Sequence, residues 1–233
     1  MKALAIDCAS PCMTICAEND GLFSTKILDI GMHQSERIIP EIQNALGDVK
    51  LSPSEIQFAC LCKGPGTFTG LRLAYSALKG IQVSFKFPIY AFDSLETYAY
   101  PFFNLNKTIL SCLDAKKKRF YTSVFRKDIL SVGPVDEEIT SIKNYIDPEE
   151  EILVTGPDAN YFVEEYQSVN PAQKFIVIES KNINTSWQLL KMGKSSFEKN
   201  LEGIKDYDGP VYIRPSEAEE AKLNNSDPVK KSV

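Results

Sequence analysis

The sequence predicts an α/β protein of two lobes, each a mixed sheet with helices packed against it. Three observations lead there. The chain opens with three short β-prone runs around the hairpin signal Asn19-Asp20-Gly21, strand and helix patterns then alternate, and a second strand-rich opening near residue 107 begins the order again. At 233 residues with 43% apolar content, the chain can bury one sizeable core or two modest ones.

Residues 2–8, 12–18 and 22–29 read as an antiparallel meander. Residues 33–46 place Ile38, Ile39, Ile42 and Leu46 on one helical face, with Pro40 interrupting the helix and Gly47 placed to end it. In 56–62, Phe58, Cys60 and Cys62 share one face of a strand and Ala59 and Leu61 the other; both faces are apolar, so the strand belongs inside its sheet. Leu71, Ala74, Leu78, Ile81 and Phe85 recur at steps of three and four, the core stripe of a helix. A second stripe on that helix, Leu73, Ala77, Gly80 and Ser84, is made mostly of small residues and lets another helix approach closely, within the domain or from a second subunit. A strand at 88–92 and a short helix from Ser94 complete the first lobe, expected to span residues 1–104.

The second lobe, expected over 105–216, reads as strands near 107–113, 119–126 and 129–135, a helix near 138–146 and a strand at 152–154. A helix then runs from Gly156-Pro157-Asp158 through Tyr166, followed by a strand at 175–178. An amphipathic helix begins at Thr185, around Trp187, Leu189, Leu190 and Met192, and a last ordered element covers 210–215. Residues 217–233 have the composition of a disordered tail.

Between the apolar strand and the periodic helix lies Lys63-Gly64-Pro65-Gly66-Thr67-Phe68-Thr69-Gly70-Leu71-Arg72. A glycine-rich turn feeding a helix N-terminus can cradle an anion. Its glycine spacing is not that of a phosphate-binding Walker loop, and Leu71-Arg72 stands where Lys-Ser/Thr would follow. Gly64, Gly66 and Gly70 read GxGxxxG, with Asp93 at a distance suited to a ribose contact, so NAD(P) binding is one reading; the extra residue, Pro65 and the position in the chain all count against it.

A net charge of −5 argues against gripping a phosphate backbone. The exception is Lys116-Lys117-Lys118-Arg119, which reads first as an exposed hairpin turn and second as a nucleic-acid contact. Six cysteines in apolar runs, without CxxC spacing and beside a sole histidine, His33, point to reduced thiols rather than disulfides or structural zinc. An acidic residue as early as Asp7 and the lack of a long apolar tract lead to the expectation of a soluble, cytoplasmic protein.

Leu4-Ala5-Ile6-Asp7-Cys8-Ala9-Ser10, Ser35-Glu36-Arg37-Ile38-Ile39-Pro40, the KGPGTFTGLRLA segment and Pro210-Val211-Tyr212-Ile213-Arg214-Pro215 together resemble the TsaB (YeaZ) family over nearly the whole ordered chain. The resemblance implies the actin, sugar kinase and Hsp70 superfold. It implies a supporting role in forming threonylcarbamoyladenosine at position 37 of ANN-decoding tRNAs, beside the transferase TsaD and the ATPase TsaE. It also implies a partner surface on the helices at 34–46 and 69–85, shared by a homodimer and the TsaD heterodimer, with Arg37, Arg72, Leu73, Tyr75, Ser76, Ala77, Gly80 and Ser84 as its residues; Arg72 and Tyr75 would be anchors at its edge. In that superfold Asp7, Ser10 and Thr14, with Asp114 in the second lobe, would stand beside nucleotide phosphates, so ATP or ADP with Mg²⁺ is expected in the complex rather than as a cofactor this chain requires. Each carboxylate reads equally as an Asx turn leaving a strand. Ser94 and Tyr98 occupy the places of TsaD's histidine pair, with Glu96 between them, so neither catalysis nor a metal is expected of this chain. The rival reading is a small phosphotransferase or ATPase using Asp7 and Asp114.

Overall fold

The computed structural model describes residues 1–178 and 184–214; the expected tail and Pro215 lie outside these. The first lobe is built from strands β1 (Lys2–Asp7), β2 (Cys12–Asn19) and β3 (Leu22–Asp29), helix α1 (Gln34–Asp48), strand β4 (Phe58–Gly64), helix α2 (Phe68–Phe85), strand β5 (Ile89–Asp93) and the short helix α3 (Ser94–Ala99). The second contains β6 (Ile109–Asp114), β7 (Arg119–Arg126), β8 (Ile129–Glu138), β9 (Ile152–Thr155), α4 (Ala159–Val169) and β10 (Phe175–Val177), and α5 (Thr185–Glu198) follows.

The two sheets have the same design. Sheet order is β3-β2-β1-β4-β5 in one and β10-β9-β6-β7-β8 in the other. Each starts with an antiparallel three-strand meander and adds two parallel strands beside the first. The first turn follows from its residues: Asp20 and Gly21 both take positive φ, 48° and 91°, which a two-residue hairpin requires.

Alternation along β1, β2 and β4 divides the first core. Leu4, Ile6, Met13, Ile15, Ala59 and Leu61 face α1 and α2, while Ala3, Ala5, Cys16, Phe58 and Cys60 face Leu189 and Leu190 of α5. In the second lobe Leu110, Cys112, Phe120, Val124, Ile152 and Val154 pack on Phe162, Val163 and Tyr166 of α4. The opposite face of that sheet meets α3 through Leu95, Tyr98 and Ala99, so α3 lies where the lobes join.

Several expectations change. Sequence order groups α5 with the second lobe, yet it packs on β1, β2 and β4 of the first. Its apolar face matches the free face of that sheet, because the second sheet already has α4 on one side and α3 on the other. The helix expected near 138–146 is a 3₁₀ turn, Ile139–Asn144. Gly47 does not end α1; it sits in the last turn, where its carbonyl accepts from the N–H of Val49. Ile39 and Phe85, assigned to core stripes, are 47% and 43% exposed. The described part of the segment expected at 210–215, through Arg214, joins no sheet and crosses from one lobe to the other. All six cysteines are buried free thiols, and no helix among the described residues is long and apolar enough to cross a membrane.

Candidate functional site

Two surfaces draw the candidate residues together: the cleft between the lobes and the outer face of α1 and α2. The cleft is a cavity of about 720 Å³. Ala9, Ser10 and Pro11 of the first hairpin, Pro65 to Phe68, Leu113 to Lys116, Tyr121, Asp158 and Val211 to Arg214 line it.

The glycine-rich loop is packed onto the first hairpin. The N–H of Thr67 donates to the carbonyl of Ala9 at 2.7 Å and the Thr67 hydroxyl to that of Cys8 at 3.2 Å. A Cβ on Gly66 would stand 2.4 Å from the Ala9 oxygen. The glycine serves close approach of two backbones, and Thr67's polar groups point at the protein rather than an anion. Asp93, the candidate ribose contact, instead caps α3, accepting from the N–H groups of Leu95 at 2.9 Å and Glu96 at 3.3 Å.

Of the expected phosphate-side residues, Ser10 and Asp114 line the cleft and Asp7 does not. Asp7 is 1% exposed. Its Oδ1 accepts from the N–H of Ala9 at 2.8 Å and its Oδ2 from the hydroxyl of Thr185 at 2.5 Å; Thr185 in turn is 2.9 Å from the hydroxyl of Thr14, which accepts from the N–H of Ser186 at 3.0 Å. Burial pushes the Asp7 carboxyl above its ordinary range, against the pull of these hydrogen bonds. Asp7 and Thr14 therefore anchor the start of α5. Sequence reasoning had no route to this pairing, since its partners lie 178 and 171 residues away. Ser10 donates to the carbonyl of Cys12 at 3.2 Å. Asp114 forms the Asx turn, with Oδ1 accepting from the N–H of Lys116 at 2.7 Å and Oδ2 from its ammonium at 2.6 Å. Lys116, Lys117 and Lys118 make the β6–β7 turn with φ of 61°, 56° and 59°. With one carboxylate buried and the other folded onto its own turn, Asp7 and Asp114 do not fit as joint holders of a hydrated Mg²⁺.

Nor do Ser94 and Tyr98 fit a transition metal. Both are buried at the lobe junction, and burial, with Asp7 nearby, pushes the Tyr98 phenol well above its ordinary value, away from the ionised form a metal would select. Glu96 is likewise raised, by burial and then by Asp93. His33 is exposed, 3.6 Å from Glu36.

On the outer face, α1 and α2 lie side by side over the first sheet. Arg72, Ser76, Gly80 and Ser84 are exposed at four-residue steps, with Val83 beside them at 77% exposure; Ile39 and Met32 stand exposed on the α1 side. Gly80 and Ser84 of the expected small stripe are thus exposed, with Ser76 in line with them. Ala77 is 8% exposed in the core, and Leu73 is half-buried against it, because that flank of α2 turns inward. Tyr75 is no edge anchor: it is 5% exposed, and burial pushes its phenol up to about 12. Arg72 is exposed, but its guanidinium lies 3.7 Å over the Phe68 ring and its Nε donates to the Tyr212 hydroxyl at 3.0 Å. Arg37 pairs with Glu41, which holds that carboxyl below its ordinary range.

Two lobes of matching strand order meeting at a cleft define a protein of the actin-like class. A solved Bacteroides thetaiotaomicron protein with an actin-like ATPase fold superposes with a TM-score of 0.50 at 10% identity, covering 82% of this chain and 95% of that one. A Pseudomonas aeruginosa protein with similarity to peptidase YeaZ superposes with a TM-score of 0.78 at 18% identity, covering 91% and 99%. The family model for TsaD, tRNA N6-adenosine threonylcarbamoyltransferase, matches residues 30–172. The tRNA threonylcarbamoyladenosine biosynthesis protein TsaB of Bacillus subtilis is 25% identical over 225 residues, 94% of this chain and 96% of that protein; its Escherichia coli namesake is 26% identical over 130 residues, 55% and 56%. The chain belongs to this family, as a TsaB (YeaZ) member of it.

Proposed function

We propose that this chain is an accessory subunit in the formation of threonylcarbamoyladenosine on tRNA, without catalysis of its own. In this reading it binds and supports a TsaD-like transferase together with a TsaE-like ATPase, and forms a homodimer when they are missing. The observation that carries it is the division of roles between the two surfaces. The acid expected beside a phosphate is buried under α5, while α1 and α2 leave Ile39, Val83 and the Ser76-Gly80-Ser84 stripe in solvent, where a second helix pair can pack closely. Homodimer and heterodimer would use this same face and compete. In this reading ATP or ADP belongs to the assembled complex, and tRNA is met through that complex.

Gly80 is the position for a test. A Cβ there meets nothing within 4 Å, whereas a Trp at the buried Ala77 would have to force open the core. Cells lacking the chain should lose threonylcarbamoyladenosine from tRNA nucleoside digests measured by mass spectrometry. The wild-type chain should restore it, and Gly80→Trp, folded normally, should neither restore it nor co-elute with the TsaD-like protein. Unchanged nucleoside content in the deletion strain would sink the functional reading; normal co-elution of Gly80→Trp would sink the docking surface alone.

A further inference from the structure

We propose that residues 211–214 are a releasable clasp that ties the two lobes together across the cleft and transmits the state of one to the other. This inference is independent of which partner binds α2.

Four residues reach from one lobe to the other. At the first-lobe end, the N–H of Val211 donates to the carbonyl of Lys63 at 2.7 Å, at the end of β4. The Tyr212 ring packs at a tilt of 31° with its centroid 4.7 Å from that of Phe68 in the first turn of α2, and its hydroxyl accepts from Arg72. At the second-lobe end, Arg214 grips Asp136 of β8 with two parallel bonds, Nε to Oδ2 at 2.8 Å and Nη2 to Oδ1 at 2.9 Å, and donates from Nη1 to the carbonyl of Ala115 at 2.9 Å. Asp136 also accepts from Arg119 Nε at 2.8 Å, so one carboxylate holds the clasp and the neighbouring strand. Val211, Tyr212 and Ile213 between these ends form one wall of the cleft.

The two ends differ in kind. The first is a backbone bond and a tilted ring contact; the second is a charge-assisted fork between side chains 19% and 14% exposed, partly open to solvent. Loss of the fork therefore releases the Arg214 end from the second lobe, while the lobes stay joined through α3 and each keeps its own core. A tie of this form also demands reciprocity: a change that loosens one end must loosen the other by the same factor.

Amide hydrogen exchange on the full chain reads both ends. In Asp136→Asn, which weakens the bonds to both Arg214 and Arg119, exchange of the Val211 amide should rise by on the order of tenfold, about the weight of the fork to Arg214, while amides of Leu4 in β1 and Leu110 in β6 keep their protection. In Val211→Pro, which removes the donor at the opposite end, the amides of Ala115 and Arg119 in the β6–β7 turn should become faster. Val211 exchange unchanged in Asp136→Asn overturns the clasp, as does exchange at Leu4 and Leu110 rising in step with it, since the tie would then be inseparable from global stability. Turn amides unmoved by Val211→Pro would deny the transmission.

Discussion

One substitution type should act in opposite directions at two glycines. Gly64 has φ of +117°, and a Cβ built on it would lie 2.5 Å from the carbonyl oxygen of Val211 and 3.3 Å from Leu71 Cδ1. Gly64→Ala therefore places an L-residue in a left-handed conformation, at a cost of about 1–3 kcal/mol, and displaces the chain that donates from Val211 to Lys63, at a further cost of roughly 0.5–1.5 kcal/mol. Together these give a net loss of about 1.5–4.5 kcal/mol. Gly80 lies inside the exposed run of α2 with open space around its Cβ, so Gly80→Ala removes the entropic penalty of a mid-helix glycine and should stabilise by up to about 1 kcal/mol. Urea unfolding followed by far-UV circular dichroism, with the fluorescence of the sole tryptophan, Trp187, as a second probe, measures both. Thermal midpoints should fall by roughly 3–18 °C for Gly64→Ala and rise by up to about 4 °C for Gly80→Ala. Midpoints moving in the same direction, or Gly64→Ala within about 0.5 kcal/mol of wild type, would refute the reasoning.

Two further outcomes concern buried polar groups. The folded-state pKa of Asp7 is raised by burial, so its protonated form suits the fold; that contribution is complete below the unfolded value of about 3.9 and fades as pH rises through the raised one. Asp7→Asn lacks this titration, and its stability relative to wild type should improve from about pH 4 toward neutrality in urea titrations; a difference independent of pH would show that the carboxylate is not penalised by burial. Ser111, Ser123 and Thr155 stand in register on three neighbouring strands, and the hydroxyl of each is buried without a hydrogen-bond partner from the protein. Thr155→Val should therefore stabilise by about 1–2 kcal/mol, and a clear fall in the denaturation midpoint would show that its hydroxyl is satisfied.

Much of the fold was legible because short-range geometry writes itself into the chain. Alternation in β1, β2 and β4 and the three-and-four spacing of Leu71, Ala74 and Leu78 follow from the directions in which strands and helices project their side chains. Asn19-Asp20-Gly21 encodes its turn through residues that tolerate positive φ. From such signals the sequence by itself determined two lobes of repeated order, buried reduced thiols and the turn at Lys116. Adjacent stripes on a helix differ by only a small rotation, so Ile39, Tyr75 and Ala77 were assigned to the wrong side of their surfaces. Only the tertiary structure decided that α5 returns to the first sheet, that Asp7 answers Thr185 rather than a ligand, and that Arg214 reaches Asp136 across 78 positions. The physical reason is that a carboxylate carries no mark of its partner: desolvation forces a buried charge to find hydrogen bonds, and which groups supply them is settled by packing of surfaces far apart in the chain.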